Sequence, residues 1–407
     1  MEKPRAVLVI ATLDTKGTEA RYLLDCFEES GTPVLVLDAG ILGESPFPAT
    51  ITREQVACAG GMSLSEVRSL GHEGEALSVM IAGATRYAQE LHGEGRISGI
   101  TCLGGSMGTT LGTGVMRTLP IGFPKVMIST MASRNTRPFV GTKDILMLHA
   151  VCDLAGLNRI TRKILRNGAT AMAGMVRGQA TSSLPTKPLV VLSTLGTTET
   201  CSQYIRRSLE IEGKEVVVFH TVGSGGEAME ELIHGEEVEA VVDLSLHEVL
   251  DGLFGGDYDA GPNRGTTALR KGIPTVIVPG NTDFLVTGPL AAAEQRFPGR
   301  VYHVHNAAIT CIRSEPREVE AVAKRIAEMC NEAVGPVKIL VPAGGFSAFD
   351  RFGGPFHDPT ATRLFGASLK KYLKKTVPVA ALPYHINDPE FAKAILESLE
   401  QVSGKAC

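Results

Sequence analysis

The chain reads as an α/β protein built from two Rossmann-like units, each with a mostly parallel sheet. Three observations point there. Short apolar runs alternate with amphipathic helical stretches, the pattern of strand–helix–strand units covered on both faces. The chain has 407 residues, more than one hydrophobic core usually serves. It also carries 45 glycines and no tryptophan, and glycine is what tight strand-to-helix bends require.

The elements follow in order. Ala6–Thr12 is an apolar strand and Thr18–Ser30 a helix, with Gly31 as a natural stop. Pro33–Leu37 is the next strand. Residues 39–60, rich in Gly and Pro, read as a long loop. Glu75–Leu91 (helix), Ile97–Leu103 (strand), Thr109–Thr118 (helix) and Lys125–Ser129 (strand) continue the alternation, and 145–177 read as largely helical. Gly178–Pro188, polar with two prolines, is the linker candidate. It divides the chain into a domain at 1–180 and a second at 189–407. The alternation then restarts with strands at Leu189–Thr194, Glu215–His220 and Val238–Leu244 and helices at Glu199–Glu212 and Gly226–His234. Further strands are expected at 275–278, 301–304, 337–341 and 377–382, and helices at 316–333, 360–374 and 389–400.

Two echoes join the halves. VLVIATLDTKGTEA near residue 10 parallels LVVLSTLGTTETCS near residue 192, and GFPKVMIS at 122–129 parallels GIPTVIVP at 272–279. Such echoes are what duplication of one α/β unit would leave.

Composition excludes several classes. Forty Lys+Arg against 44 Asp+Glu give a formal charge of −4, so bulk nucleic-acid binding by charge is not expected. No apolar window is long enough for a membrane span, and the N-terminus reads as a strand rather than a signal peptide. The eight cysteines have no metal-finger spacing. They read as reduced thiols of a cytoplasmic protein.

The segments that carry chemistry lie at strand ends, where open α/β sheets bind ligands. The first is Asp14-Thr15-Lys16-Gly17, where strand one meets helix one. A helix N-terminus there offers unpaired amides, Lys16 a cation, and Asp14 a metal ligand or a cap. The second is Gly104-Gly105-Ser106-Met107-Gly108-Thr109-Thr110, whose glycines let amides approach an anion. It is neither a Walker A nor a dinucleotide fingerprint. Its Gly-x-Ser-x-Gly also fits a nucleophile elbow, making Ser106 a hydrolase candidate. The third pairs Ser129 with Thr142 and Asp144, with Asp144 a Mg²⁺ candidate or a helix cap.

In the second half, Glu248 sits in an acidic group with Asp243, His247 and Asp251. His303 and His305 share one strand face. PAGGFSAFDRFGGPFHDP carries Asp350 and His357, and HINDP carries His385 and Asp388. Glu248, Asp350, His357, His385 and Asp388 are the catalytic candidates of a second ligand site.

These motifs together resemble one family. TLDTKGTE, LGGSMGTTLG, STMAS…GTKDI and DLAGLNRITRKIL are similar to the first unit of the Tm-type ATP-binding proteins. That family is named for the N-terminal domain of the tomato mosaic virus resistance protein. AGPNR, GIPTVIVPG, PAGGFSAFD, GGPFHDP and HINDPEFA resemble its second unit. The resemblance implies two Rossmann-like subdomains, ATP or a similar nucleotide with Mg²⁺, and a homodimer. The residues then read as a nucleotide site in the first unit. A small carboxylate or phosphorylated substrate would meet the second unit's loops across the interdomain cleft. A nucleotide-gated scaffold without catalysis and a Ser106 hydrolase are the alternatives.

Overall fold

The computed structural model describes residues 5–178 and 187–404. The chain forms two compact units, Met1–Ser183 and Leu184–Cys407, and most of the expected linker, residues 179–186, lies outside the described residues.

The first unit runs β1 Ala6–Ala11, α1 Leu13–Glu29, β2 Val34–Asp38, α2 Arg53–Ala59, α3 Leu64–Ser69 and α4 Glu73–Gly93. It continues with β3 Ile97–Gly104, α5 Ser106–Met116, β4 Lys125–Ser129, α6 Arg137–Val140, β5 Leu146–His149 and α7 Arg159–Arg177. Its strands are parallel in the order β2-β1-β3-β4-β5. β1, β3 and β4 are buried along their whole length, the continuous apolar signature of a sheet covered on both faces. One core packs α2, α4 and α5 on one face, and another packs α1 and α7 on the opposite face. Because β2 and β3 leave β1 in opposite directions, the chain order switches between β1 and β3. That is where such sheets open a crevice.

The second unit runs β6 Leu189–Thr194, α8 Glu199–Ile211, β7 Glu215–His220, α9 Ser224–Gly235, β8 Ala240–Ser245, α10 His247–Phe254, α11 Thr267–Lys271 and β9 Thr275–Gly280. An antiparallel excursion follows: β10 Phe284–Thr287, α12 Leu290–Arg296, β11 Tyr302–Asn306 and β12 Ile309–Arg313. The unit closes with α13 Pro316–Asn331, β13 Val337–Pro342, α14 Pro359–Tyr372, β14 Val379–Leu382 and α15 Pro389–Val402. Its main sheet is parallel in the order β14-β13-β9-β8-β6-β7, and β10-β12-β11 form a separate sheet. Read from β6, its first five strands have the order of the first unit. Both sequence echoes fall on equivalent strands, the first on β1 and β6 and the second on β4 and β9. The α/β class with two Rossmann-like units is therefore what the chain adopts.

Three local expectations are corrected. The 145–177 stretch begins with strand β5, and its helix starts only at Arg159. The 39–60 loop contains α2, announced by a Thr52/Gln55 capping box. Strands β10 and β12 were not expected at all.

Candidate functional site

At the carboxyl edge of the first sheet, over the switch between β1 and β3, lies a cavity of about 500 Å³. Two of its walls are the segments the sequence singled out. Thr12, Asp14, Thr15 and Lys16 line it from the start of α1, and Gly104–Gly108 from the start of α5. Ile41, Leu42, Val67, Leu70, Leu77 and Met107 give it apolar lining, and Arg68 and Glu73 add charged groups. Leu42 is 78% exposed and Met107 43%, so both offer surface that a ligand can cover.

The α5 end is shaped to present amides. Gly105 is the N-cap, in an extended conformation with no capping side chain. The Thr109 amide returns to Gly105 O, while the first-turn amides of Ser106, Met107 and Gly108 have no intrahelical acceptor. A side chain on Gly104 would meet Gly108 Cα at 2.8 Å, whereas one on Gly105 would meet nothing closer than Thr130 Oγ1 at 3.8 Å. Gly104 is thus required for packing, and Gly105 leaves open space above the amides.

The α1 end is more committed. Lys16 breaks the helical geometry (φ −124°, ψ 20°), and its ammonium donates to Leu154 O. Asp14 Oδ2 accepts from the amides of Ile41, Leu42 and Gly43, at 3.0, 2.8 and 3.3 Å. Asp14 Oδ1 is buried, close to Gly40, and has no partner among the described residues. Asp14 therefore folds the 41–43 loop back over the cavity, and Arg68 holds the same loop through the carbonyls of Ile41 and Leu42. Gly17 lies outside the cavity, where a Cβ would strike Pro46.

The remaining residues expected to bind nucleotide stand elsewhere. Thr109 and Ser129 are buried and bond each other at 2.6 Å, joining α5 to β4. Thr110 Oγ1 turns back to Ser106 O. Thr142 and Asp144 precede β5, which puts them at the amino edge of the sheet, opposite the cavity. There Asp144 accepts from Lys125 Nζ at 2.7 Å and from the Gly122 amide at 2.8 Å. Its role is to pair a lysine that is wholly buried. No histidine is among the described residues that line the cavity, so Ser106 has no imidazole beside it there to act as a base.

In the second unit the equivalent strand ends are filled by the protein itself. β8 leads straight into His247 and Glu248. Glu248 Oε1 accepts from the Gly223 and Gly226 amides at the start of α9, and its Oε2 accepts from Arg264 at 2.6 Å. Arg264 also forks onto Asp243 at 2.6 and 2.8 Å. Burial opposes the charge of Arg264, but Asp243, Glu248 and Glu230 raise its pKa well above the ordinary arginine value. Glu248 thus occupies amides that elsewhere would hold a ligand anion.

The other catalytic candidates are likewise engaged within their loops. Asp350 accepts from the amides of Phe346 and Asp358, and His357 Nδ1 faces Asp350 O at 2.9 Å. His385 donates from Nε2 to Ser347 O and accepts at Nδ1 from the Asn387 amide. Both nitrogens are used, and burial lowers its pKa. Asp388 holds the His385 amide and pairs with Arg351.

Residues 5–181 match the model described as the N-terminal domain of the uncharacterised protein family UPF0261, and residues 187–403 match its C-terminal domain. The chain belongs to the UPF0261 family. A UPF0261 protein of Clostridium tetani is 37% identical over 97% of this chain and 98% of its own length. UPF0261 protein RA0729 of Rhizobium meliloti is 34% identical over 98% and 99%. The ToMV resistance protein Tm-1(GCR237) of Solanum lycopersicum is 33% identical, and the match spans 98% of this chain but 56% of the tomato protein. A UDP-N-acetylglucosamine 2-epimerase crystal structure aligns over 99% of the chain at 11% identity and a TM-score of 0.22, a likeness too low to inform fold or chemistry. No helix among the described residues is long and apolar enough to cross a membrane.

Sequence reading missed the family member's Asp38, Glu73 and Asp283. Asp38, at the end of β2, accepts from the Leu13 and Gly40 amides and from Ser45. Its place one residue past an apolar strand was the available signal. Asp283 is buried, accepts from Ser347 Oγ at 2.6 Å, and keeps Oδ1 without a partner among the described residues.

Burial, reinforced by the charge of Asp350, pushes the Asp283 carboxyl up to about 8, whereas an unfolded aspartate titrates near ~3.9. The folded state then holds a proton that the unfolded chain has released. Stability from this group is full below the unfolded value and is lost as pH rises toward 8. His247, buried and pushed down to about 4, works the other way, losing stability only below its ordinary ~6.5. Between about pH 6.5 and 8 the Asp283 effect stands clear of His247. The midpoint of thermal unfolding should fall across that window, and Asp283→Asn should flatten the fall. A wild-type midpoint that rises from pH 6.5 to 8, or an unchanged slope in the variant, would refute it.

Proposed function

We propose that the first unit binds ATP, or a nucleotide of the same kind, as its Mg²⁺ complex. The supporting observation is the cavity at the β1/β3 switch, lined both by helix-start backbone and by apolar side chains. The start of α5 presents helix-start amides, which suit phosphate through hydrogen bonding and the helix dipole. The apolar lining suits a base. The tail would rest on the amides of Ser106, Met107 and Gly108, with Lys16 alongside.

A cation fits this arrangement. Asp14 is a carboxylate in the wall beside those amides, with one oxygen unpartnered. Among the described residues no cluster of three or more metal-ligating side chains occurs, so an ion here would take its other ligands from phosphate and water. That is the ordinary habit of Mg²⁺. Its contribution would be to neutralise phosphate charge next to Asp14.

Isothermal titration of the full chain with ATP and Mg²⁺ should show one site per chain, weakened when Mg²⁺ is chelated. In a thermal melt, a ligand at a hundredfold its Kd should add about 2.7 kcal/mol of stability. No binding at millimolar ATP would end this reading.

A further inference from the structure

We infer that Glu73 recognises the ribose hydroxyls of the bound nucleotide, which makes the site selective for ribonucleotides. The inference rests on the nucleotide reading above and adds a specificity that reading does not contain.

Asp14, Asp38 and Glu73 are carboxylates in or beside the cavity. In dinucleotide-binding sheets the acid just past the second strand takes the ribose. Here that position is Asp38, and it is spent: it is buried and accepts from two amides and a hydroxyl. Asp14 Oδ2 is spent on three amides, and its buried Oδ1 is the oxygen assigned above to the cation. Glu73 is different. It lines the cavity from the first turn of α4, and Gly71, Ala76 and Leu77 line it too. It is exposed, and no hydrogen bond or ion pair engages it among the described residues.

A nucleotide whose phosphates lie on the α5 amides and whose base covers apolar lining such as Leu42 and Leu70 brings its sugar against the same cavity wall, where Glu73 is the exposed carboxylate. A carboxylate in that wall has acceptors to offer. A vicinal diol supplies two donors, and hydrogen bonds to a charged group are the strong kind.

The test is titration of the full chain with ATP, 2′-deoxy-ATP and 3′-deoxy-ATP, each with Mg²⁺, against wild type, Glu73→Ala and Glu73→Gln. Wild type should bind ATP about tenfold or more tightly than at least one deoxy analogue. Glu73→Ala should bind all three alike, near the weaker wild-type value, and Glu73→Gln should retain part of the preference. Equal wild-type affinities, or a preference that survives in Glu73→Ala, would overturn the assignment while leaving nucleotide binding intact. Absence of wild-type binding to any of the three would remove both. The exposed position keeps the variants folded, which circular dichroism checks.

Discussion

Replacing Arg264 with methionine should unfold the second unit or leave it barely stable. The guanidinium is 2% exposed and meets Asp243 and Glu248 at 2.6 Å, with Glu230 at 3.7 Å. Methionine fills similar space but leaves these acids buried without their cation. Breaking one buried pair from one side costs about 3–5 kcal/mol, against a typical total of about 5–15 kcal/mol for a domain. The space cannot relax easily, since a Cβ on Gly226 would already touch Glu248 Oε2 at 2.0 Å. Urea denaturation should show a large drop in the second unit's midpoint, or no soluble protein. Arg264→Lys should fall between, because an ammonium keeps the charge but cannot fork onto two carboxylates. Neutralising the acids in the same background, with Asp243→Asn and Glu248→Gln, should recover part of the loss. An Arg264→Met midpoint within experimental error of wild type would show that the cluster is not what holds this crevice closed.

The same cluster shows what the sequence could and could not convey. The buried strands were legible because a parallel sheet writes them as unbroken apolar runs, as in Ala6–Ala11 and Leu189–Thr194. β5 was not, because the four residues Leu146–His149 are partly exposed and sit in a stretch whose apolar spacing also fits a helix. α2 and α3 hid in Gly/Pro-rich sequence, although the capping boxes at Thr52/Gln55 and Ser63/Glu66 were readable signals. The cavity's two polar walls were legible because both follow strand ends. What each side chain does there was not. Asp14 bonds amides 27–29 residues away, and Arg264 meets Glu248 and Asp243 across 16 and 21 residues. Asp144 illustrates the converse. A polar residue beside a strand looks the same at either end of it, and only the return path of the chain through α6 puts this one at the amino edge.

Ser106→Pro should weaken ATP binding at least tenfold while leaving the fold of the first unit intact. Ser106 is the first residue of α5, and Gly105 before it is extended, at φ −80° and ψ −154°. Proline is well tolerated at that helical position, since its fixed φ suits the first turn, and it favours an extended residue before it. The substitution therefore deletes one amide donor, along with the hydroxyl, and puts ring atoms where a phosphate would approach. Losing a hydrogen bond to a charged group costs about 1.5–3 kcal/mol, which is roughly ten- to a hundredfold in affinity. Ser106→Ala separates the two deletions, because it keeps the amide and removes only the hydroxyl. If main-chain donors hold the tail, Ser106→Ala binds ATP within a few fold of wild type and Ser106→Pro does not. If the hydroxyl is what matters, as a nucleophile or as a donor, the two variants fail together. A Ser106→Pro protein that melts like wild type and binds ATP equally well would take the phosphate away from α5 altogether.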